Sequence, residues 1–291
     1  MPRDVVIHLA VKFEYLLLLP QHALAAPSQR ITMDETAHPP IIENARELTC
    51  LCDVNDIATG AFLRSTFSYV DDNARIWFGI ASVPRRALKA EDFNTNFRLV
   101  QDESVYPRAF DGITIASVGP GDIFIKRPKL SYLDDKYSSV MLPRLFLDEI
   151  LVLEILKQRP HPNLAEYYGC SNHRGFITGI LLKKYNATLE EYLDSHKLPH
   201  EHIMAGLEAG IQHLHTLGYA HNDLNPTNIM LDDSLNPVII DFGSCKRVGE
   251  GLVSAGTPGW ADDYEVSDSE HDKAALKKLR LWLNEAMKQM G

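Results

Sequence analysis

The stretch from Tyr219 to Gly243 constrains this chain more than any other. It reads Y-A-H-N-D-L-N-P-T-N-I-M-L, then a short polar turn, then V-I-I-D-F-G. Two apolar runs, N-I-M-L and P-V-I-I-D, predict short buried strands joined by the turn Asp232-Asp233-Ser234. That places Asp223, Asn228 and Asp241 at strand ends or in the adjoining loops, where a rigid scaffold can aim two carboxylates and an amide at one point. An all-oxygen donor set suits a hard cation such as Mg²⁺ better than zinc. The competing reading makes Asp223 and Asn228 turn or helix caps and D-F-G a chance tripeptide. Both motifs in this order, flanked by apolar strands, argue against it.

Composition narrows the partners. The 291 residues are enough for a two-lobed domain with a sizeable core, and 45% hydrophobic with 23% charged residues is ordinary for a globular chain. A formal charge of -10 argues against non-specific binding to nucleic acid or to an anionic membrane. Cys50, Cys52, Cys170 and Cys245 are too few for a disulfide scaffold. Cys50-x-Cys52 lacks a second pair at zinc spacing and reads as two faces of one strand. The default setting is therefore reducing and cytoplasmic. Apolar runs in V-V-I-H-L-A-V and Y-L-L-L-L-P, followed by A-L-A, raise secretion as the alternative. Lys12 and Glu14 interrupt them, and neither run is long enough to cross a bilayer. Residues 1–46 are expected to form a poorly ordered leader, since Pro27 to Pro40 is polar and punctuated by proline.

From about Leu48 to Val118 the runs F-L-R-S-T-F-S-Y-V, R-I-W-F-G-I-A-S-V and I-T-I-A-S-V predict strands. Gly119-Pro120-Gly121-Asp122 predicts a hairpin between the last of these and I-F-I-K, which ends on Lys126. Next comes an amphipathic helix with Leu147, Ile150, Leu151 and Leu153 on its apolar side, stopped by R-P-H-P-N. G-F-I-T-G-I-L-L-K-K-Y predicts a buried strand and T-L-E-E-Y-L-D-S-H a short helix. Ile203, Leu207, Ile211 and Leu214 mark one face of a core helix. His213 and His215 point to different sides of it and form no metal pair. A last helix turns Leu276, Leu279, Leu283 and Met287 inward.

H-x-D-L-x-P-x-N followed by D-F-G and G-T-P-x-W resembles the protein kinase superfamily, over roughly Ile113 to Trp282. A-H-N-D-L-N-P together with P-H-P-N…Y-Y-G-C further resembles divergent fungal serine/threonine kinase-like proteins. The resemblance implies an α+β, two-lobed fold. Its β-rich small lobe with an N-terminal extension would span 47–184, and a truncated, mainly helical large lobe 185–291. It implies that Asp223 accepts the proton of a substrate hydroxyl, and that Asn228 and Asp241 hold Mg²⁺. Lys126, in I-F-I-K where the family has V-A-I-K, would pair with the phosphates of ATP. Glu149 would orient it, with Glu154 as the competitor for that pairing. Phe124, Leu182, Tyr185 and Met230 would line the nucleotide, the connector near Leu182 to Tyr185 meeting the adenine through its backbone. Asp272 would anchor the catalytic loop from below, or else complement the dipole of its own helix. His221 would pack beneath the metal loop rather than act as a base. The partners implied are ATP and a protein substrate, with the chain a monomer.

Four departures bear on activity. No G-x-G-x-x-G precedes the first hairpin, so the backbone cradle over the phosphates is degenerate or missing. Phe124 stands where the family keeps a small alanine against the adenine, and could fill part of that space. Asn225 replaces a lysine that contacts the transferring phosphate, a loss that typically costs on the order of 10²–10³ in turnover. Asn222 replaces the arginine that reads a phosphorylated activation segment, so phosphorylation of that segment is not expected to act through an arginine pocket. Three readings follow. The first is an ATP- and Mg²⁺-dependent serine/threonine protein kinase of low activity. The second is a pseudokinase acting as a binding or scaffold module. The third is a small-molecule kinase of the choline or aminoglycoside type, against which D-F-G and G-T-P-x-W stand.

Overall fold

The computed structural model describes residues 38–56, 59–116, 122–130, 133, 138–193, 198–253, 256–262 and 264–289. The runs C-L-C-D-V-N, F-L-R-S-T-F-S-Y-V, I-W-F-G-I-A and R-L of the N-terminal third give β1 (Cys50–Asn55), β2 (Phe62–Val70), β3 (Ile76–Ala81) and β4 (Arg98–Leu99). They pair antiparallel in that order. Phe67 lies across Gly79 on the neighbouring strand, where an added Cβ would sit 2.2 Å from the ring. α1 (Ala90–Asn96) covers this face, with Phe93 and Phe97 edge-on to Phe67 at 5.1 and 5.3 Å. Ile42 is buried in the same cluster, and its N–H donates to Asn94 Oδ1 at 2.8 Å. The end of the expected leader is thus part of this core. Residues 1–37 lie outside the described residues.

The expectation that Cys50 and Cys52 occupy two faces of one strand is corrected. Side chains two apart in a strand share a face, and the two sulfurs lie 3.4 Å apart. Sharing a proton with Cys50 lowers the Cys52 thiol to about 7, burial opposing the shift and Arg85 assisting it. Alkylation of Cys52 by iodoacetamide is therefore expected to rise with pH around a midpoint near 7, followed by peptide mass spectrometry. A midpoint at or above the ordinary thiol value, about 8.5, would contradict the arrangement.

This sheet is joined to the next by Arg174, whose backbone is left-handed at φ 55. Its guanidinium donates to both carboxylate oxygens of Asp102, at 2.7 and 2.8 Å, and to the carbonyls of Asn73 and Ala74. Ile76, Val105, Tyr106, Leu130 and Phe176 pack into one cluster beside it. Arg174→Ala is expected to cost about 1.5–3 kcal/mol, the usual worth of hydrogen bonds to a charged group. Denaturant unfolding measures it, and no loss would mean that the apolar cluster alone holds the two sheets.

The second sheet runs β5 (Ile123–Lys126), β7 (Phe176–Lys183), β6 (Tyr167–His173) in spatial order. Here a second expectation fails. β5 pairs with β7 rather than with the preceding I-T-I-A segment, whose Ile115 instead bridges Cys170 in parallel on the far side of β6. Gly169, at φ 138, makes room for this, since a Cβ there would meet the Thr114 carbonyl at 2.8 Å. The proposed turn at 119–121 lies outside the described residues. α2 (Ser138–Gln158) packs against β6. Its buried side is Leu142, Phe146, Ile150, Leu153 and Leu156, at helical spacing, whereas Leu151 is 42% exposed and leaves the predicted stripe.

The C-terminal part is mainly helical. α3 (Leu189–Leu193) follows the short strand β8 (Ala187–Thr188), and α4 (His200–Thr216) buries Ile203, Leu207, Ile211 and Leu214 as predicted. α4 packs on β11 (Pro237–Ile239) and on α5 (Ser269–Gln289). Within α5, Leu279 and Leu283 are fully buried, while Leu276 and Met287 are half-buried. β11 pairs with β10 (Ile229–Leu231), which pairs with β8. β9 (Tyr219–Ala220) pairs with β12 (Lys246–Arg247). A β-sheet N-terminal region and a helical C-terminal part make this a kinase-like fold. No helix among the described residues is long and apolar enough to cross a membrane.

Candidate active site

Strand alternation puts Phe124 and Lys126 on one face of β5. Lys126 Nζ donates to Glu149 Oε1 of α2 at 2.5 Å and to Asp241 Oδ1 at 2.7 Å. Glu149 is 5% exposed, and its Oε1 also accepts the Phe242 N–H at 3.2 Å. Glu154, the competitor, faces away and takes the Thr114 N–H and the Tyr167 hydroxyl, each at 2.7 Å. Burial works against the charge on Lys126, but Glu149 and Asp241 outweigh it and hold its proton well above the usual lysine range. Burial likewise opposes the charge on Asp241, yet Lys126 and Lys129 hold its carboxyl well below the usual carboxylate range. For Glu149 burial prevails and pushes the carboxyl up, with Lys126 opposing.

Asp241 sits at φ 60, a left-handed conformation that an aspartate tolerates when its side chain bonds locally. Its Oδ1 accepts the Gly243 N–H at 3.2 Å. Oδ2 has no hydrogen bond from the described residues. Asn228 lies across the same ladder, its carbonyl accepting the Ile240 N–H at 2.9 Å. The Asn228 amide nitrogen donates to the Asp223 carbonyl at 2.8 Å, which leaves its side-chain oxygen as the end able to accept. Asp241 and Asn228 thus fit a hard cation: both are oxygen donors on neighbouring strand ends, and each has an oxygen to spare.

Asp223 is the acceptor of its own loop. Oδ1 takes the Thr257 N–H at 2.7 Å and the Asn225 amide at 3.3 Å, and Oδ2 takes the Asn228 amide at 3.2 Å. Asn225 is buried and also donates to Thr257 Oγ1 at 3.0 Å, while its oxygen caps the turn Pro226–Asn228 through the Thr227 N–H. Thr257 therefore closes the loop over Asp223. Gly256 permits that approach, because a Cβ there would stand 2.2 Å from Ala261 Cβ. Reading the residues one at a time misses this Asn225–Thr257 link. The signal for it is G-T-P itself, whose glycine and threonine have separate duties.

Beneath the loop, Asp272 is completely buried and accepts the N–H groups of His221 and Asn222 at 2.8 and 2.9 Å. It also bonds His215 Nε2 at 2.8 Å. His221 is buried edge-on to Phe242, its Nε2 on the Ile240 carbonyl. Asn222 does not leave a hole where the family has arginine. Its amide reaches the carbonyls of Ala220 and Ser244 and the Ser267 hydroxyl, and its oxygen meets His271. Lys246 pairs instead with Asp148 of α2.

The residues expected at the nucleotide are less tightly grouped. Phe124 is 52% exposed rather than filling a core, and it is the direct cross-strand partner of Leu182. Leu182 is buried in the main core and sits in the central strand, paired with Phe124 on one side and Tyr167 on the other. Met230 points away from its buried neighbours Ile229 and Leu231 and pairs with Thr188, just past the half-buried Tyr185.

A kinase-like fold with a lysine, three acids and an amide at these positions defines a class. Residues 128–275, half of the chain, match the protein kinase domain family, and the chain belongs to it. It is similar to the MAP kinase kinase kinase SSK2 of Saccharomyces cerevisiae, 31% identical over 50% of this chain and 9% of that protein. It is similar too to the serine/threonine-protein kinase shk2 of Schizosaccharomyces pombe, 32% identical over 47% of this chain and 24% of that protein. A third relative is the human serine/threonine-protein kinase/endoribonuclease IRE2, 34% identical over 34% of this chain and 12% of that protein. The chain thus spans less than a quarter of the length of each of these relatives.

Proposed function

We propose that this chain transfers the γ-phosphoryl group of ATP, with Mg²⁺, to a serine or threonine hydroxyl of a protein. The observation that carries the reading is Lys126 held between Glu149 and Asp241, an ammonium already aimed and charged. Bound Mg²⁺-ATP would supply the phosphoryl group and part of the charge neutralisation. Lys126 would fix the phosphates, Asn228 and Asp241 would hold the cation, and Asp223 would take the hydroxyl proton. In the connector, the N–H groups of Lys183 and Lys184 are already bonded to Glu166 and Asp122. The adenine edge would then meet the backbone of Tyr185, with Phe124 and Met230 on its faces. In this reading 47–184 is the small lobe with its extension and 185–291 the large lobe, and residues 1–46 lie ahead of the catalytic unit. The serine/threonine preference draws support from the names of SSK2's fellow relatives, shk2 and IRE2.

Asn225 favours a second reading, a pseudokinase that binds nucleotide or partner without efficient transfer. Its amide holds Asp223 and Thr257 in place but brings no charge to the transferring phosphate. A melting titration followed by a transfer assay separates the two. ATP with Mg²⁺ at about 100 times its Kd should stabilise the native state by about 2.7 kcal/mol, and Lys126→Met should remove the shift. A shift without transfer to any protein supports the pseudokinase. No shift at millimolar nucleotide ends the ATP-dependent reading. Transfer to a small alcohol or amine and to no protein would point to the third class.

A further inference from the structure

The helix α2 is fastened to the segment around D-F-G at two successive residues. Glu149 takes Lys126 Nζ and the Phe242 N–H. Asp148 takes the ammonium of Lys246 on β12, and the two side chains are only 12% and 14% exposed. The other oxygen of Asp148 pairs with the exposed Arg144, one turn earlier, at 2.8 Å. Successive side chains on a helix diverge by about 100°. One fastening would let α2 turn about its axis, whereas two at that angle fix its rotation as well as its distance. Lys246 is itself tied to the catalytic loop. Its strand pairs with β9, which runs directly into His221, Asn222 and Asp223. Its carbonyl accepts the Ser267 hydroxyl at 3.2 Å, and that hydroxyl accepts the Asn222 amide at 3.0 Å. Arg247, the next cation, turns the other way and lies over the Tyr219 ring at 5.1 Å.

We propose that Asp148 and Lys246 are positioning residues, an ion pair that carries the placement of the catalytic loop to α2 and so keeps Glu149 on Lys126. The consequence for catalysis rests on the kinase reading; the contact itself does not. Neither residue is among the groups assigned to the phosphates or to the hydroxyl. Truncating Lys246 leaves a nearly buried carboxylate with one exposed arginine, so water enters or α2 shifts. Glu149 moves with its helix, and Lys126 then loses the acid that aims it. A displacement of about 1 Å at such a distance from the chemistry can cost on the order of 10²-fold in rate.

The test uses the full chain with Lys246→Met and Asp148→Asn, singly and together. Lys246→Arg is the conservative variant, and Arg247→Met makes the same charge change on the other face of β12. Hydrogen exchange without nucleotide, followed by mass spectrometry, should quicken about 2–30-fold in the amides of α2 in both single variants. In phosphoryl transfer, kcat should fall about 10–10²-fold and KM for ATP should rise. A chain that is merely less folded loses kcat in proportion and keeps its KM. The double variant should do no worse than the poorer single one, because one pair cannot be lost twice. Lys246→Arg should keep most of the rate, and Arg247→Met all of it. Unaltered exchange of α2 in both single variants overturns the proposal, whatever the chain does with ATP. So do undiminished transfer, a loss of kcat at unchanged KM, additive losses in the double variant, or an equal defect in Arg247→Met. A wild-type chain that transfers no phosphate ends the kinase reading alone, and exchange then decides whether the pair holds α2.

Discussion

Asp223→Ala is expected to lower phosphoryl transfer by roughly 10²–10⁴-fold, the usual worth of a positioned general base. The substitution does more than remove a base, because Asp223 also receives the Thr257 N–H and the amides of Asn225 and Asn228. The two effects separate in kinetics. Loss of an interaction made only in the transition state lowers kcat and leaves KM for ATP nearly unchanged. Collapse of the loop would displace Asn228, weaken metal binding and raise KM as well. Asp223→Asn keeps an oxygen for Thr257 but turns an amide donor toward the Asn228 amide, so it should lower the melting temperature less than Asp223→Ala while remaining as inactive. A variant at this position with undiminished kcat would remove Asp223 from the mechanism and leave the pseudokinase reading in front.

The fold was legible where one rule acted alone. The stripe Ile203, Leu207, Ile211, Leu214 is helical in period and buried in fact, because nothing competes with it on α4. The strands flanking Asp232 form as the apolar runs predict. Lys126 and Glu149 meet although 23 residues separate them; residue order alone left Glu154 as a rival. Only the contacts of Glu154 with Thr114 and Tyr167 settle which acid turns which way. Failures arose where long-range packing overrode a local signal. G-P-G-D promised a hairpin, but β5 found β7 and Ile115 found Cys170, pairings that no turn motif encodes. Polar and proline content places Ile42 in a leader, yet one apolar side chain and two hydrogen bonds with Asn94 dock it. The Cys50–Cys52 error was of another kind. Period two already places both side chains on one face.

Asp272→Ala is expected to destabilise the folded chain by about 3–5 kcal/mol, the range for breaking a buried charged hydrogen-bonded group. Two readings of this residue predict different magnitudes. Asp272 lies in the first turn of α5, where an acid favours the helix dipole by about 0.3–1 kcal/mol. It is also completely buried, and holds the backbone N–H groups of His221 and Asn222 together with His215. Removing the carboxylate strands two buried N–H groups, each costing about 1–3 kcal/mol. The second effect therefore outweighs the first several-fold. In a chain of this size the loss corresponds to a fall in Tm on the order of 10 °C. Asp272→Asn keeps one acceptor oxygen and should lose roughly half as much stability as Asp272→Ala. Denaturant unfolding of both variants decides the matter: a loss below 1 kcal/mol for Asp272→Ala would reduce Asp272 to a dipole partner. The catalytic loop would then have to be held from above, by Thr257 and Asn225, and Thr257→Val would become the variant that loosens it.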